Sequence, residues 1–112
     1  MENLFANLEI TAREVDERRR GGQTLQLVDV REAWEWEHNR IPGAVHLPLG
    51  ELEGRYAELL EAGLPIVFYC HMGMRSQQAA LWMRQAGCPD CQSLAGGVNA
   101  WCDDVDPQLP RY

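Results

Sequence analysis

The order of elements along the chain predicts an α/β fold, with a central, mainly parallel sheet of about five strands flanked by helices. Three observations carry this. Short apolar runs at 25–30, 44–47, 65–69 and 91–94 alternate with segments of helical spacing. The run Pro65-Ile66-Val67-Phe68-Tyr69 shows no polar alternation, which is the pattern of a strand buried on both faces. Glycines at 21–22, 63, 87 and 96–97 fall where helices must stop or start.

The elements follow in order. Thr11 can cap a helix, and Glu14, three residues on, completes a capping box; Gly21-Gly22 ends that helix. Leu25 to Val30 is a short strand that leads into Arg31. Glu32 to His38 reads as one or two helical turns, and Ile41-Pro42-Gly43 as a turn before a strand at Ala44–Leu47. Leu49, Leu52, Tyr56, Leu59 and Leu60 give a helix over 49–62. After the strand at 65–69, Ala79, Ala80, Met83 and Ala86 share one side of a helix over 76–85. A strand at Cys91–Leu94 and a helix through Trp101 complete the order. The tail from about residue 103 holds two prolines; it is expected to pack irregularly and is the one candidate for disorder.

With 112 residues the chain is read as a single domain, 1–112, large enough for a core without staples. Its 46% hydrophobic and 24% charged residues are ordinary for a globular protein. No apolar run approaches the roughly 20 residues of a membrane span, and Met1-Glu2-Asn3-Leu4-Phe5 lacks the basic and apolar regions of a signal peptide, so the expectation is a cytoplasmic protein without a membrane partner. The net charge is −7, and all ten basic residues are arginine. Nucleic-acid binding is not expected, because neutralising phosphates needs a basic face. The run Arg18-Arg19-Arg20 suits a helix C-terminus, and the absence of lysine excludes Schiff-base chemistry. Without a secretion signal, Cys70, Cys88, Cys91 and Cys102 read as thiols rather than a disulfide framework.

Cys70 stands apart. It ends the most apolar strand, and His71-Met72-Gly73-Met74 separate it from Arg75 and the next helix. In a parallel sheet, ligands bind beyond the carboxyl ends of the strands. The helix that follows turns its free N–H groups and positive dipole end toward this loop. The loop amides can curl inward as an anion cradle, with Gly73 supplying the backbone freedom. A thiol there is expected to ionise below its free value of about 8.5 and to act as a nucleophile.

Four segments taken together resemble a known family: Leu27-Val28-Asp29-Val30-Arg31-Glu32; His38-Asn39-Arg40-Ile41-Pro42-Gly43-Ala44-Val45-His46-Leu47-Pro48; Cys70-His71-Met72-Gly73-Met74-Arg75-Ser76; and Leu94-Ala95-Gly96-Gly97-Val98-Asn99-Ala100-Trp101. In this order they resemble a single-domain rhodanese, a sulfurtransferase. The resemblance implies a rhodanese-like α/β sandwich, Cys70 as the catalytic residue, and a persulfide held by the loop amides. It implies transfer of sulfane sulfur from thiosulfate or a similar anion to a thiol, cyanide or protein acceptor, with no metal or organic cofactor.

His71, Met72, Gly73, Met74 and Arg75 are the expected loop and substrate-binding residues, with Asp29, Arg31 and Ser76 in support. Arg75 either binds the donor anion or folds back onto a carboxylate that braces the loop. A preformed thiolate needs no general base, which leaves His71 a loop residue. Met72 and Met74 suggest an adaptable apolar lip. The Asp29–Arg31 pair is mainly structural in the resembled family, with Arg31 near the site. His46 is expected as a hydrogen-bonded core histidine, and Trp34 and Trp36 as packing groups. In Cys88-Pro89-Asp90-Cys91 the cysteines read chiefly as stand-ins for apolar residues; half a zinc site, a redox pair, or a thiol that resolves the Cys70 persulfide are the alternatives.

Three other functions compete. A cysteine phosphatase or arsenate reductase of related fold would place five residues between cysteine and arginine; here there are four. A non-enzymatic binding module would lack the cysteine. A sulfur relay to a protein partner, in cofactor or tRNA thiolation, fits the ending Val105 to Tyr112, which resembles rhodanese segments fused to adenylyltransferases.

Overall fold

The computed structural model describes residues 3–112; Met1 and Glu2, the start of the stretch read for a leader, lie outside the described residues. Five strands form one sheet, in the order β1-β5-β4-β2-β3 and parallel at every pairing. They are β1 Glu9–Ile10, β2 Gln26–Asp29, β3 Val45–His46, β4 Ile66–Tyr69 and β5 Gln92–Leu94. The helices are α1 Ala12–Arg20, α2 Ala33–His38, α3 Leu52–Glu61, α4 Met74–Gln85 and α5 Gly97–Asp104, with a 3-10 turn at Leu49–Glu51. The expected α/β class, parallel sheet and strand number are present.

β4 lies at the centre of the sheet, which is why its sequence does not alternate. Ile66 and Phe68 face a core built with Leu52, Leu59, Ala79, Ala80 and Met83 of α3 and α4. Val67 and Tyr69 face the opposite core, with Ala12 and Val15 of α1 and Val98, Trp101 and Cys102 of α5. All four β4 residues are buried. Burying a large apolar side chain stabilises by about 1.5–3 kcal/mol, so this strand fixes both layers at once.

Thr11 caps α1, its Oγ1 accepting from Glu14 N–H at 3.1 Å, and the three arginines occupy the last turn. Three departures from the sequence expectations have local causes. β1 holds only two residues, too few for a period, and pairs with β5 at Glu9–Ser93 and Ile10–Leu94. α4 starts at Met74 rather than Ser76, because Gly73 already makes the left-handed turn, φ 113°, at its N-cap. α5 runs past Trp101 to Asp104 before irregular backbone takes over. No helix among the described residues is long and apolar enough to cross a membrane.

Candidate sulfur-transfer site

β4 delivers Cys70 to the carboxyl end of the sheet, and the chain turns through residues 71–73 into α4. Cys70 is 2% exposed. Its Sγ accepts a hydrogen bond from Gly73 N–H at 3.1 Å and lies 3.5 Å from Ser76 Oγ. Ser76 is itself tied down: its hydroxyl donates to Gly73 O at 3.2 Å and lies 2.7 Å from Ser93 Oγ on β5. The sulfur thus sits at the head of a 12-residue helix, where partial positive charge and unsatisfied amides favour an anion. Of the expected cradle, the Gly73 amide is the member that bonds Sγ directly.

The loop is held from behind by α5. Val98 N–H donates to Cys70 O at 2.8 Å, and Asn99 N–H to His71 O at 3.2 Å. These are first-turn amides of α5, which have no intrahelical acceptor. Gly97 makes the approach possible. A Cβ there would lie 2.5 Å from both the Cys70 and His71 carbonyl oxygens, and its φ is +59°.

Arg75 folds back rather than standing free. Its guanidinium makes a fork to Glu35, Nη1 to Oε1 at 2.6 Å and Nη2 to Oε2 at 2.9 Å. Glu35 is buried, with a 4% exposed side chain, while that of Arg75 is 35% exposed. Burial opposes the Glu35 charge, but the Arg75 fork, with bonds from Tyr112 and Glu32 N–H, outweighs it and holds the carboxyl at about 2. The pair braces α4, at the back of the loop, against α2. Of the two roles open to Arg75 in the sequence, this geometry is that of the brace.

Asp29 and Arg31 lie beside the site, at the end of β2 next to the Cys70 strand, and are fully buried. Arg31 Nε and Nη2 engage Asp29, its Nη1 reaches Asn39 Oδ1 and Tyr112 Oη at 2.8 Å, and its Nη2 also meets Asn39 O. Every donor direction is used, which makes Arg31 a strut between β2, the end of α2 and the tail. His46 bonds Arg31 O at 2.8 Å and stacks on Trp36; it is half-buried rather than a core residue. Met72, Met74 and Trp34 are exposed around the loop.

Sequence reasoning missed Tyr112 and Glu35. Tyr112 Oη donates to Glu35 Oε2 at 2.5 Å and accepts from Arg31, while its ring stacks on His71 at 4.1 Å. Its own ionisation is pushed up to about 12, by burial first and then by the carboxylate beside it. The tail thus returns across the site and joins both ion pairs. Neither residue lies in a motif around Cys70; the one available signal was a carboxylate three residues into the helix after Glu32, placed to reach back to Glu32 N–H, as Glu35 does at 3.0 Å.

The resolving-thiol reading of Cys88 and Cys91 fails on geometry. The register Val67–Gln92 sets Cys91 level with Ile66, four residues before Cys70, or about 13 Å along the strand. No third His, Cys, Asp or Glu joins them as a metal-holding group among the described residues.

A family model for the rhodanese-like domain matches residues 11–104. The chain belongs to the rhodanese-like family. It is 37% identical over 100 residues to the putative sulfur carrier protein YrkF of Bacillus subtilis, covering 89% of this chain and 54% of that one. It is 34% identical over 104 residues to the probable adenylyltransferase/sulfurtransferase MoeZ of Mycobacterium tuberculosis, covering 92% of this chain and 26% of that one. The chain therefore spans about half the length of the first relative and about a quarter of the second. Among solved structures, the human single-domain sulfurtransferase TSTD1 superposes with a TM-score of 0.73 at 28% identity, covering 87% of this chain and 96% of that one. This is a sulfurtransferase and sulfur-carrier family.

Proposed function

We propose that Cys70 carries sulfane sulfur as a persulfide, taken from thiosulfate or a similar anion and passed to a thiol, cyanide or protein acceptor. The observation that carries this reading is the Gly73 N–H to Cys70 Sγ bond at the head of α4. It places a donor on the sulfur where negative charge must be held. The Cys70 thiolate attacks the outer sulfur of thiosulfate; the S–S bond breaks and sulfite leaves with its electron pair. The terminal sulfur of Cys70–S–S⁻ then faces the amides of the loop, which act on it as an oxyanion hole acts on oxygen. An acceptor nucleophile takes that sulfur and restores the thiolate. The roles of His71, Met72, Met74 and Ser76 in this proposal are to shape and hold the loop, and that of Arg75 is to brace it.

Thiosulfate should add one sulfur atom to the intact mass, and cyanide should remove it. An adduct that persists in Cys70→Ser, or no adduct in the parent chain, defeats the proposal.

A finer reading, that the physiological acceptor is a protein, draws on two observations. Met72, Met74 and Trp34 expose apolar surface around the loop, and two relatives are named as a sulfur carrier and an adenylyltransferase/sulfurtransferase. Replacing Met72 and Met74 by serine should spare sulfur transfer to cyanide and slow transfer to a protein thiol. Equal losses toward both acceptors would reject a protein-facing role for this rim.

A further inference from the structure

Cys88 and Cys91 lie at the amino-terminal end of β5, away from Cys70. The four residues Cys88-Pro89-Asp90-Cys91 form a tight turn closed by Cys91 N–H to Cys88 O at 3.4 Å. Proline suits the second position of such a turn, and the turn brings its end Cα atoms within about 7 Å. That matches the span of about 4.4–6.8 Å that a disulfide needs. The side chains use this proximity: the two Sγ atoms are 2.8 Å apart, with the Cys91 thiol directed at Cys88. Both are free thiols here.

The two sulfurs differ in setting. Cys91 is fully buried, whereas Cys88 is only partly buried at the edge of the core and lines a groove of about 280 Å³ with Leu60, Leu64, Pro65, Ile66 and Asp90. Burial, followed by the neighbouring Cys88, pushes the Cys91 thiol up, so Cys91 keeps its proton as a donor toward Cys88. A partly buried thiol at the rim of a groove, with a fully buried thiol in direct contact behind it, is the arrangement needed for attack followed by resolution.

We propose that Cys88 and Cys91 form a second sulfur site, a dithiol that exchanges with small disulfides independently of Cys70. The Cys88 thiolate attacks one sulfur of R–S–S–R, and the S–S bond breaks with loss of RS⁻. Cys91, giving up its proton, attacks the Cys88 sulfur of the mixed disulfide and expels the second RS⁻. The two thiol protons pass to the two leaving thiolates. The dithiol is oxidised to an intrachain disulfide, and one R–S–S–R is reduced to two R–SH. The apolar walls and the Asp90 carboxylate beside Cys88 favour a neutral or cationic disulfide over an anionic one. The site lies about 13 Å below the level of Cys70, so its chemistry does not pass through the persulfide.

The test uses the full chain carrying Cys70→Ser, which removes the competing thiol. It is equilibrated with excess cystamine, then denatured in an alkylating agent and mapped by mass. The expected product has lost two hydrogens, with Cys88 and Cys91 blocked and Cys102 alkylated. Cys91→Ser in this background should stop at a cysteamine mixed disulfide on Cys88. Cys88→Ser should react at least tenfold more slowly, and glutathione disulfide should react more slowly than cystamine at low salt. Two alkylatable thiols at 88 and 91 after equilibration, a link from either to Cys102, or first attack by Cys91 would overturn the proposal.

Discussion

Replacing Arg75 by alanine should destabilise the fold and impair turnover, rather than merely weaken donor binding. The change strips a buried carboxylate of its fork, Nη1–Oε1 2.6 Å and Nη2–Oε2 2.9 Å. The carboxyl of Glu35 stands at about 2 against an ordinary 4.5. At about 1.4 kcal/mol per unit, that difference corresponds to roughly 3 kcal/mol of stability at neutral pH. Tyr112 and Glu32 N–H supply part of it, and the exposed side of Arg75 is screened, so about 2 kcal/mol falls to the fork. The pH dependence has a definite sign. A depressed carboxyl contributes above its unfolded value of 4.5 and loses that contribution as pH falls through about 2. The deficit of Arg75→Ala, measured by urea unfolding, should be about 2 kcal/mol at pH 7 and about half that at pH 3. In Glu35→Gln/Arg75→Ala the loss should be smaller than the sum of the single losses. With thiosulfate, kcat should fall along with kcat/KM, because the loop loses its brace. Unchanged stability at pH 7 together with a raised KM alone would refute this reasoning and assign Arg75 to the donor anion.

Gly97→Ala sets a Cβ 2.5 Å from two loop carbonyls at φ +59°; it should cost at least about 2 kcal/mol and slow alkylation of Cys70, and an undisturbed thiol rate would count against the α5 clamp. Tyr112→Phe keeps the His71 stack but removes two bonds to charged partners, for about 1.5–3 kcal/mol in thermal unfolding; a null effect would show that the tail does not hold the site. An aryl phosphate should not turn over at a rate matching thiosulfate, since four residues separate Cys70 from Arg75, and Cys70-dependent phosphate release at that rate would reverse the substrate class. Inserting one residue into this loop should lower sulfur transfer, measured as sulfite release.

The parts of this molecule legible in its sequence are those governed by periodicity and punctuation. β4 was visible because both its faces are apolar, and Cys70 because a thiol at its end precedes a helix. β1 was invisible, since two residues carry no period and it forms only by pairing with β5. The role of Arg75 stayed undecided for a related reason. Its partner Glu35 is 40 positions away, and no local rule joins a guanidinium on one helix to a carboxylate on another. Tyr112 lay in a segment with no regular pattern, and what places it is a hydrogen-bonding need: Arg31 and Glu35, both buried, lacked a hydroxyl that could bond each.

The clamp on the Cys70 loop also orders events in time. The carbonyls of Cys70 and His71 wait for the amides of Val98 and Asn99, and Glu35 for a hydroxyl 77 positions along the chain. Such distant closures come late in folding, because chain entropy opposes them until most of the sheet is in place. The loop that carries Cys70 therefore takes its final shape only once α5 and the tail have packed against it.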